Sequence, residues 1–146
     1  MNIALLHHIS LPVADLERSR RFYRELLGLE EIERPPFPFP GAWLRLGDRE
    51  LHLIGGEGVA PRGAHAVEPR ELHFAVRVGS YRQALDHLKR CGFREEAAQD
   101  DPMRVVALPR PVTGYPQIYI LDPDRHLIEI NAEHLDDEDP AQPGTE

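Results

Sequence analysis

Residues 6–30, LHHISLPVADLERSRRFYRELLGLE, decide the fold. The stretch opens as a strand, because apolar side chains recur at every second position: Ile9, Leu11 and Val13 share one face, and His8, Ser10 and Pro12 the other. Asp15 then caps a helix whose apolar face carries Leu16, Ser19, Tyr23, Leu26 and Leu27, and Gly28 ends it. Residues 71–92, ELHFAVRVGSYRQALDHLKRCG, repeat the plan. Leu72, Phe74, Val76 and Val78 alternate with His73, Ala75 and Arg77. Ser80 and Gln83 form a capping-box pattern, and Tyr81, Ala84, Leu85 and Leu88 fall at helical spacing before the stop at Gly92.

Three shorter strand-like runs follow each helix, at 30–34, 42–46 and 50–54 in the first half and at 94–97, 117–121 and 126–131 in the second. Met103 to Leu108 offers one further short strand. Gly47-Asp48 and Asp122-Pro123-Asp124 supply the last turn of each half. Each half therefore has the order β-α-β-β-β. The sequence predicts an α+β fold in which two βαβββ modules form a curled mixed β-sheet cup with helices on the outer face. One domain is expected over 1–135, with module one at about 5–56, module two at about 70–135, a Gly/Pro-rich linker at 55–69, and an acidic, disordered tail at 136–146. The run RPPFPFP at 34–40 must be extended and cannot pair fully in a sheet, so it is either a lid or a plain surface connection.

Composition narrows the function. The chain has 146 residues, 41% hydrophobic and 29% charged, an ordinary globular mix. Its net charge of −8 argues against a nucleic-acid footprint. No apolar run approaches the ~20 residues that span a bilayer, and the N-terminus lacks a signal-peptide pattern, so a cytoplasmic location and no membrane partner are expected. Cys91 is the only cysteine, which excludes an internal disulfide and a Cys-rich metal site. It is expected to be a buried packing residue at the end of the second helix.

Strand parity places His8, His52, His73 and Glu129 on the face turned away from the helices. His8 and His73 lie on the first strand of their halves, His52 and Glu129 on the last. Imidazoles with a carboxylate suit Fe(II), Mn(II), Ni(II), Co(II) or Zn(II), and two His with one carboxylate leave coordination positions open for substrate. Parity fixes the face and not the meeting of the four; hydrogen-bonded strand histidines with a solvated carboxylate are the alternative. Trp43, Arg45, Gln117 and Tyr119 share this parity and are candidate substrate contacts, with Arg45 suited to a carboxylate or phosphate. His7 is assigned to the helix side, His65 and His87 to a loop and a helix surface, and His126 and His134 to the flanks of the last strand.

Residues 7–30, LHFAVRV at 72–78 and IYILDPDRHLIEIN at 118–131 together resemble the vicinal oxygen chelate family. This family includes glyoxalase I, extradiol dioxygenases, fosfomycin-resistance enzymes, methylmalonyl-CoA epimerase and bleomycin-binding proteins. The resemblance implies a glyoxalase-like fold and makes His8, His73 and Glu129 ligands of one divalent metal per site (Fe, Ni, Mn, Co or Zn). It puts His52 at the fourth position, where Glu or Gln is frequent in glyoxalase-like members. That leaves Glu129 as the only ligand carboxylate able to shuttle a proton. Arg125 stands where these proteins commonly have Gly. No Arg or Lys follows Arg125, which speaks against a fosfomycin-type phosphonate site. The implied activity is a glyoxalase-like lyase or isomerase, or a non-haem Fe(II) dioxygenase, acting on a small oxygen-rich substrate. The alternative is a metal-free, bleomycin-resistance-like binding dimer. The resemblance also implies a homodimer, with metal sites either within chains or shared between them.

Overall fold

The computed structural model describes residues 1–58, 63 and 66–136. The chain divides into two compact units, Met1–Gly63 and Ala64–Glu146, and each carries one module. In the first unit, β1 (His8–Pro12) leads to α1 (Leu16–Arg21), which runs on into a π-helical turn over Phe22–Leu26; β2 (Glu31–Ile32), β3 (Gly41–Leu46) and β4 (Arg49–Ile54) follow. The sheet order is β1-β4-β3-β2, with β1 parallel to β4 and the other pairs antiparallel. Asp15 caps α1 as its position predicts, accepting from the Arg18 backbone N–H at 3.0 Å. Ser19 and Tyr23 are completely buried beneath the helix, and Leu44, Leu51 and Leu53 complete that core.

The second unit repeats the topology. β5 (His73–Arg77), α2 (Tyr81–Arg90), β6 (Val106–Leu108), β7 (Gln117–Leu121) and β8 (Leu127–Asn131) form a sheet of order β5-β8-β7-β6. Here β5 is parallel to β8, and the rest are antiparallel. Ser80 caps α2 through the Gln83 N–H at 3.1 Å. The central strands β7 and β8 are buried along their whole length. Ile118, Ile120, Ile128 and Ile130 occupy one face. On the other, Val67 packs with Tyr119, Leu121 and Leu127.

Three expectations are corrected. The strand expected at 94–97 is reduced to a single bridge between Arg94 and Arg104, and β6 supplies the edge instead. The segment after Arg94 is acidic and small, and Asp101 folds it into a turn by accepting the Met103 N–H at 2.8 Å. The apolar, partly β-branched run that follows is better suited to the sheet edge. Cys91 is exposed, because it caps the C-terminus of α2 on the flank of His87, 3.8 Å from Nε2 of that ring, while Tyr81 and Leu88 carry the buried face. His7 is exposed as well: it precedes β1, so strand parity does not bind it. The expected tail beyond Asp136, and His65, lie outside the described residues.

The β7–β8 turn survives the Gly-to-Arg exchange implied by the family pattern. Arg125 adopts a left-handed φ of 65°. Asp122 holds it there, its Oδ1 accepting from the N–H groups of Asp124 (2.9 Å) and His126 (2.8 Å). The Arg125 guanidinium is anchored on the Asp100 carbonyl at 3.1 Å. These contacts offset a conformational cost of about 1–2 kcal/mol. The turn delivers Glu129 to the middle of β8.

Candidate metal centre

In the second unit, register sets the site. Ala75, Glu129, Tyr119 and Val106 are successive cross-strand neighbours on one face, and Arg77, Asn131, Gln117 and Leu108 form the next row. Glu129 is buried and held by donors on both oxygens. Oε1 accepts from Asn131 Nδ2 at 2.7 Å and Gln117 Nε2 at 3.1 Å, and Oε2 accepts from the Tyr119 hydroxyl at 2.8 Å. Burial alone pushes this carboxyl up. The hydrogen bonds from Asn131, Tyr119 and Gln117, with His73 beside it, outweigh burial and hold it below the usual carboxylate range. Burial, and then the bond to Glu129, push the Tyr119 phenol well above its ordinary value, so it stays a donor.

His73 approaches the same oxygen. Its Nε2 lies 3.3 Å from Glu129 Oε2. Its Nδ1 lies 2.7 Å from the Glu71 carbonyl, which can only accept, so Nδ1 carries the proton. Nε2 is then the ring nitrogen left to face the carboxylate oxygen. Two Lewis bases facing one another need a cation between them, either a proton or a metal ion.

The first unit carries the other two histidines. His52 is buried in a stack of three rings, with His8 on one side (centroids 4.3 Å apart, planes 15° apart) and Trp43 on the other (4.1 Å, 5°). Its Nε2 is 2.7 Å from Glu50 Oε2, and that bond draws the Glu50 carboxyl downward. Ring lone pairs lie in the ring plane. In this stack the lone pairs of His8 and His52 therefore run in near-parallel planes, and both rings bind one ion only if one of them turns. His8 Nδ1 meets His7 Nδ1 at 2.9 Å, so Nε2 is the His8 ring nitrogen that remains. Among the described residues, no group of three or more His, Cys, Asp or Glu side chains is placed to hold a metal ion.

The candidate substrate contacts separate. Gln117 and Tyr119 are spent on Glu129. Arg45 is paired with Glu30 at 3.2 Å on an exposed edge. Trp43 continues through Phe37, 6.0 Å away, into the Pro-rich segment, where Phe37 and Phe39 stand exposed. There the Arg34 guanidinium lies over both rings, 4.8 and 5.1 Å from their centroids, and Arg34 donates to the Phe39 carbonyl at 2.9 Å. Sequence reasoning missed Asn131, Arg77, Glu50 and the Glu71 carbonyl. Parity marked the first three, since each sits two or four residues from a candidate ligand on the same face; the carbonyl left no signal.

The sequence profile of the Glyoxalase/Bleomycin resistance protein/Dioxygenase superfamily matches residues 5–130. The chain belongs to that superfamily. The mitochondrial methylmalonyl-CoA epimerase of Bos taurus is 36% identical over 56 residues, 36% of this chain and 32% of the epimerase, so this superfamily member spans about a third of that relative's length. A Bacillus anthracis structure assigned to the glyoxalase family superposes with a TM-score of 0.70 at 21% identity, covering 90% of this chain and 97% of the other. A lactoylglutathione lyase from Agrobacterium tumefaciens gives 0.64 at 18% identity, over 91% and 96%. At these identities the structures establish the shared glyoxalase fold. No described helix of this superfamily member is long and apolar enough to cross a membrane.

Proposed function

We propose that this chain is a divalent-metal-dependent enzyme that acts on a small oxygen-rich substrate, with His73 and Glu129 as metal ligands and His8 and His52 completing the set. One observation carries the reading: Nε2 of His73, its other nitrogen spent on a carbonyl, faces Glu129 Oε2 at 3.3 Å. A metal-binding histidine commonly donates its second N–H in this way. The first unit offers His8 Nε2, and His52 once it leaves Glu50. The proposed assembly is a homodimer in which His8 and His52 of one chain meet the partner's His73 and the partner's Glu129.

The ion, of the Fe, Ni, Mn, Co or Zn class, supplies Lewis acidity toward negative charge developing on a substrate oxygen. The chain's residues do the rest. Tyr119, Gln117 and Asn131 fix the rotamer of Glu129 and keep it ionised, the form that a metal ligand and a proton acceptor both need. Trp43 and the ring-bearing segment beside it form an apolar wall next to His52. Local similarity to an epimerase favours an isomerase-type reaction over oxygen insertion.

The test is metal content and reaction class in the untagged full chain. Stoichiometric uptake of one divalent ion is expected, lost in His73→Ala and Glu129→Ala and weakened less in His52→Ala. Exchange of a substrate C–H proton with solvent deuterium marks the isomerase or lyase, whereas oxygen uptake with iron but not with nickel marks the dioxygenase. Wild-type protein that takes up none of the candidate ions sinks the metal reading and leaves a ligand-binding dimer.

A further inference from the structure

Arg77 lies on the same face of the second sheet as His73 and Glu129. On its own strand it is separated from His73 by Ala75, an exposed methyl, and across the sheet it pairs with Asn131. Its Nε donates to Asn131 Oδ1 at 2.8 Å, and Asn131 Nδ2 donates onward to Glu129 Oε1 at 2.7 Å. This fixes the Asn131 amide. Turned over, it would set an oxygen against a carboxylate and an N–H against a guanidinium. Asn131 therefore holds Arg77 by one nitrogen, and the Tyr115 ring, 5.2 Å from the guanidinium carbon, supports its plane.

That arrangement leaves the two terminal nitrogens. Among the described residues no carboxylate pairs with Arg77. The nearby acids are engaged elsewhere: Glu133 lies 3.6 Å from His134, and Asp136 accepts the Arg82 backbone N–H at 2.6 Å. Arg45, the guanidinium first suited to an anion by the sequence, is occupied by Glu30. An exposed guanidinium, braced and open at its forked end, is matched to a bidentate oxyanion.

We propose that Arg77 binds an oxyanion, carboxylate or phosphate, carried by the substrate away from its reacting end. The assignment rests on the reading of this face as the substrate site and names the substrate class, an anionic one. Residues two apart on a strand lie about 6.6 Å apart. The anion therefore sits one row from Glu129, a few bonds from the reacting carbon. In a chain of net charge −8, a single guanidinium beside the site selects where that anion lands.

The experiment titrates metal-free, full-length protein with succinate and, separately, with inorganic phosphate, following the backbone amides of Ala75, Arg77, Val78 and Asn131 by NMR. Saturable shifts confined to these residues are expected. Arg77→Gln should weaken binding at least tenfold, and Arg77→Lys should recover part of it. The tighter of the two probes identifies the substrate's anion. No saturable shift in wild type, or equal binding by Arg77→Gln, overturns the assignment. A loss of Mn(II) affinity in Arg77→Gln without an anion site in wild type also overturns it, by making Arg77 a brace on Glu129. Because the titration needs no metal, failure of wild type to bind Mn(II) sinks the metal reading separately and leaves this result standing.

Discussion

The Tyr119 hydroxyl donates to Glu129 Oε2 at 2.8 Å, onto the oxygen that also faces His73. One phenol thus shapes both the charge and the aim of the proposed ligand. Tyr119→Phe removes a charge-assisted bond to a buried carboxylate, worth about 1.5–3 kcal/mol. Loss of such a supporting partner weakens metal affinity by about 10–100-fold. Competition against a fluorescent chelator should read that loss, and unchanged affinity would remove Tyr119 from the site. The variant also has a pH signature. Glu129's folded pKa lies below its unfolded one, so its contribution to stability is present above the ordinary carboxylate range and is lost as pH falls through the depressed value. With one donor fewer that depression shrinks, and acid unfolding of Tyr119→Phe should begin at higher pH than in wild type.

Gly41 begins β3 where the chain leaves the Pro-rich segment. A Cβ there would stand 2.7 Å from the Leu53 carbonyl and 3.0 Å from Arg34 Nε. The first contact is with backbone in the neighbouring strand and cannot turn aside. Gly41→Ala should therefore cost about 1–3 kcal/mol of stability in urea denaturation. It should also displace Arg34 from Phe37 and Phe39, baring more of both rings and raising the fluorescence of a dye that binds apolar surface. A variant as stable as wild type would mean that β3 and β4 shift freely at this end.

Asp136 reaches back across the second unit to the N-terminus of α2, where its carboxylate accepts the Arg82 N–H at 2.6 Å. Bonds from the Ser80 side chain and the Arg82 backbone hold its carboxyl below the usual range. A depressed folded pKa contributes stability above the unfolded pKa and loses it as pH falls through the folded value. Asp136→Ala should therefore lower the melting temperature near pH 7, and the difference from wild type should vanish in strong acid. A difference that persists there would assign the effect to packing rather than charge.

The sequence carried the architecture because both halves spell it in the same grammar: alternation before the helix, Asp15 or Ser80 as its cap, and Gly28 or Gly92 at its end. Parity was equally legible within each sheet, since period-2 alternation survives any twist of the strand: register puts His8 and His52 on one face of the first sheet, and His73 and Glu129 on one face of the second. What parity could not carry was how each side chain is spent. Gln117 and Tyr119 look like free substrate contacts in one dimension, yet both donate to Glu129 because Tyr119 is its cross-strand neighbour and Gln117 lies one row away. His52 looks like a free ligand until its stack with Trp43 and its bond to Glu50 are seen. The expected strand at 94–97 failed for a related reason: a run of allowed residues lost its edge position to the more apolar run after Arg104.

If the metal sites are shared between chains, two disabled proteins should repair each other. His8→Ala breaks one half of the ligand set and Glu129→Ala the other. In a shared-site homodimer of the two variants, one site receives both lesions and the other receives neither. Random re-association makes half of the dimers mixed, so about a quarter of all sites should regain metal. Refolding the two variants together and measuring bound Mn(II) per chain, against each refolded alone, reads this directly. Recovery near a quarter places His8 of one chain beside the partner's Glu129. No recovery from mixtures that do exchange subunits, as followed by mass-tagged chains, would confine each site to a single chain, while the ligand assignment would still rest on the single-variant losses.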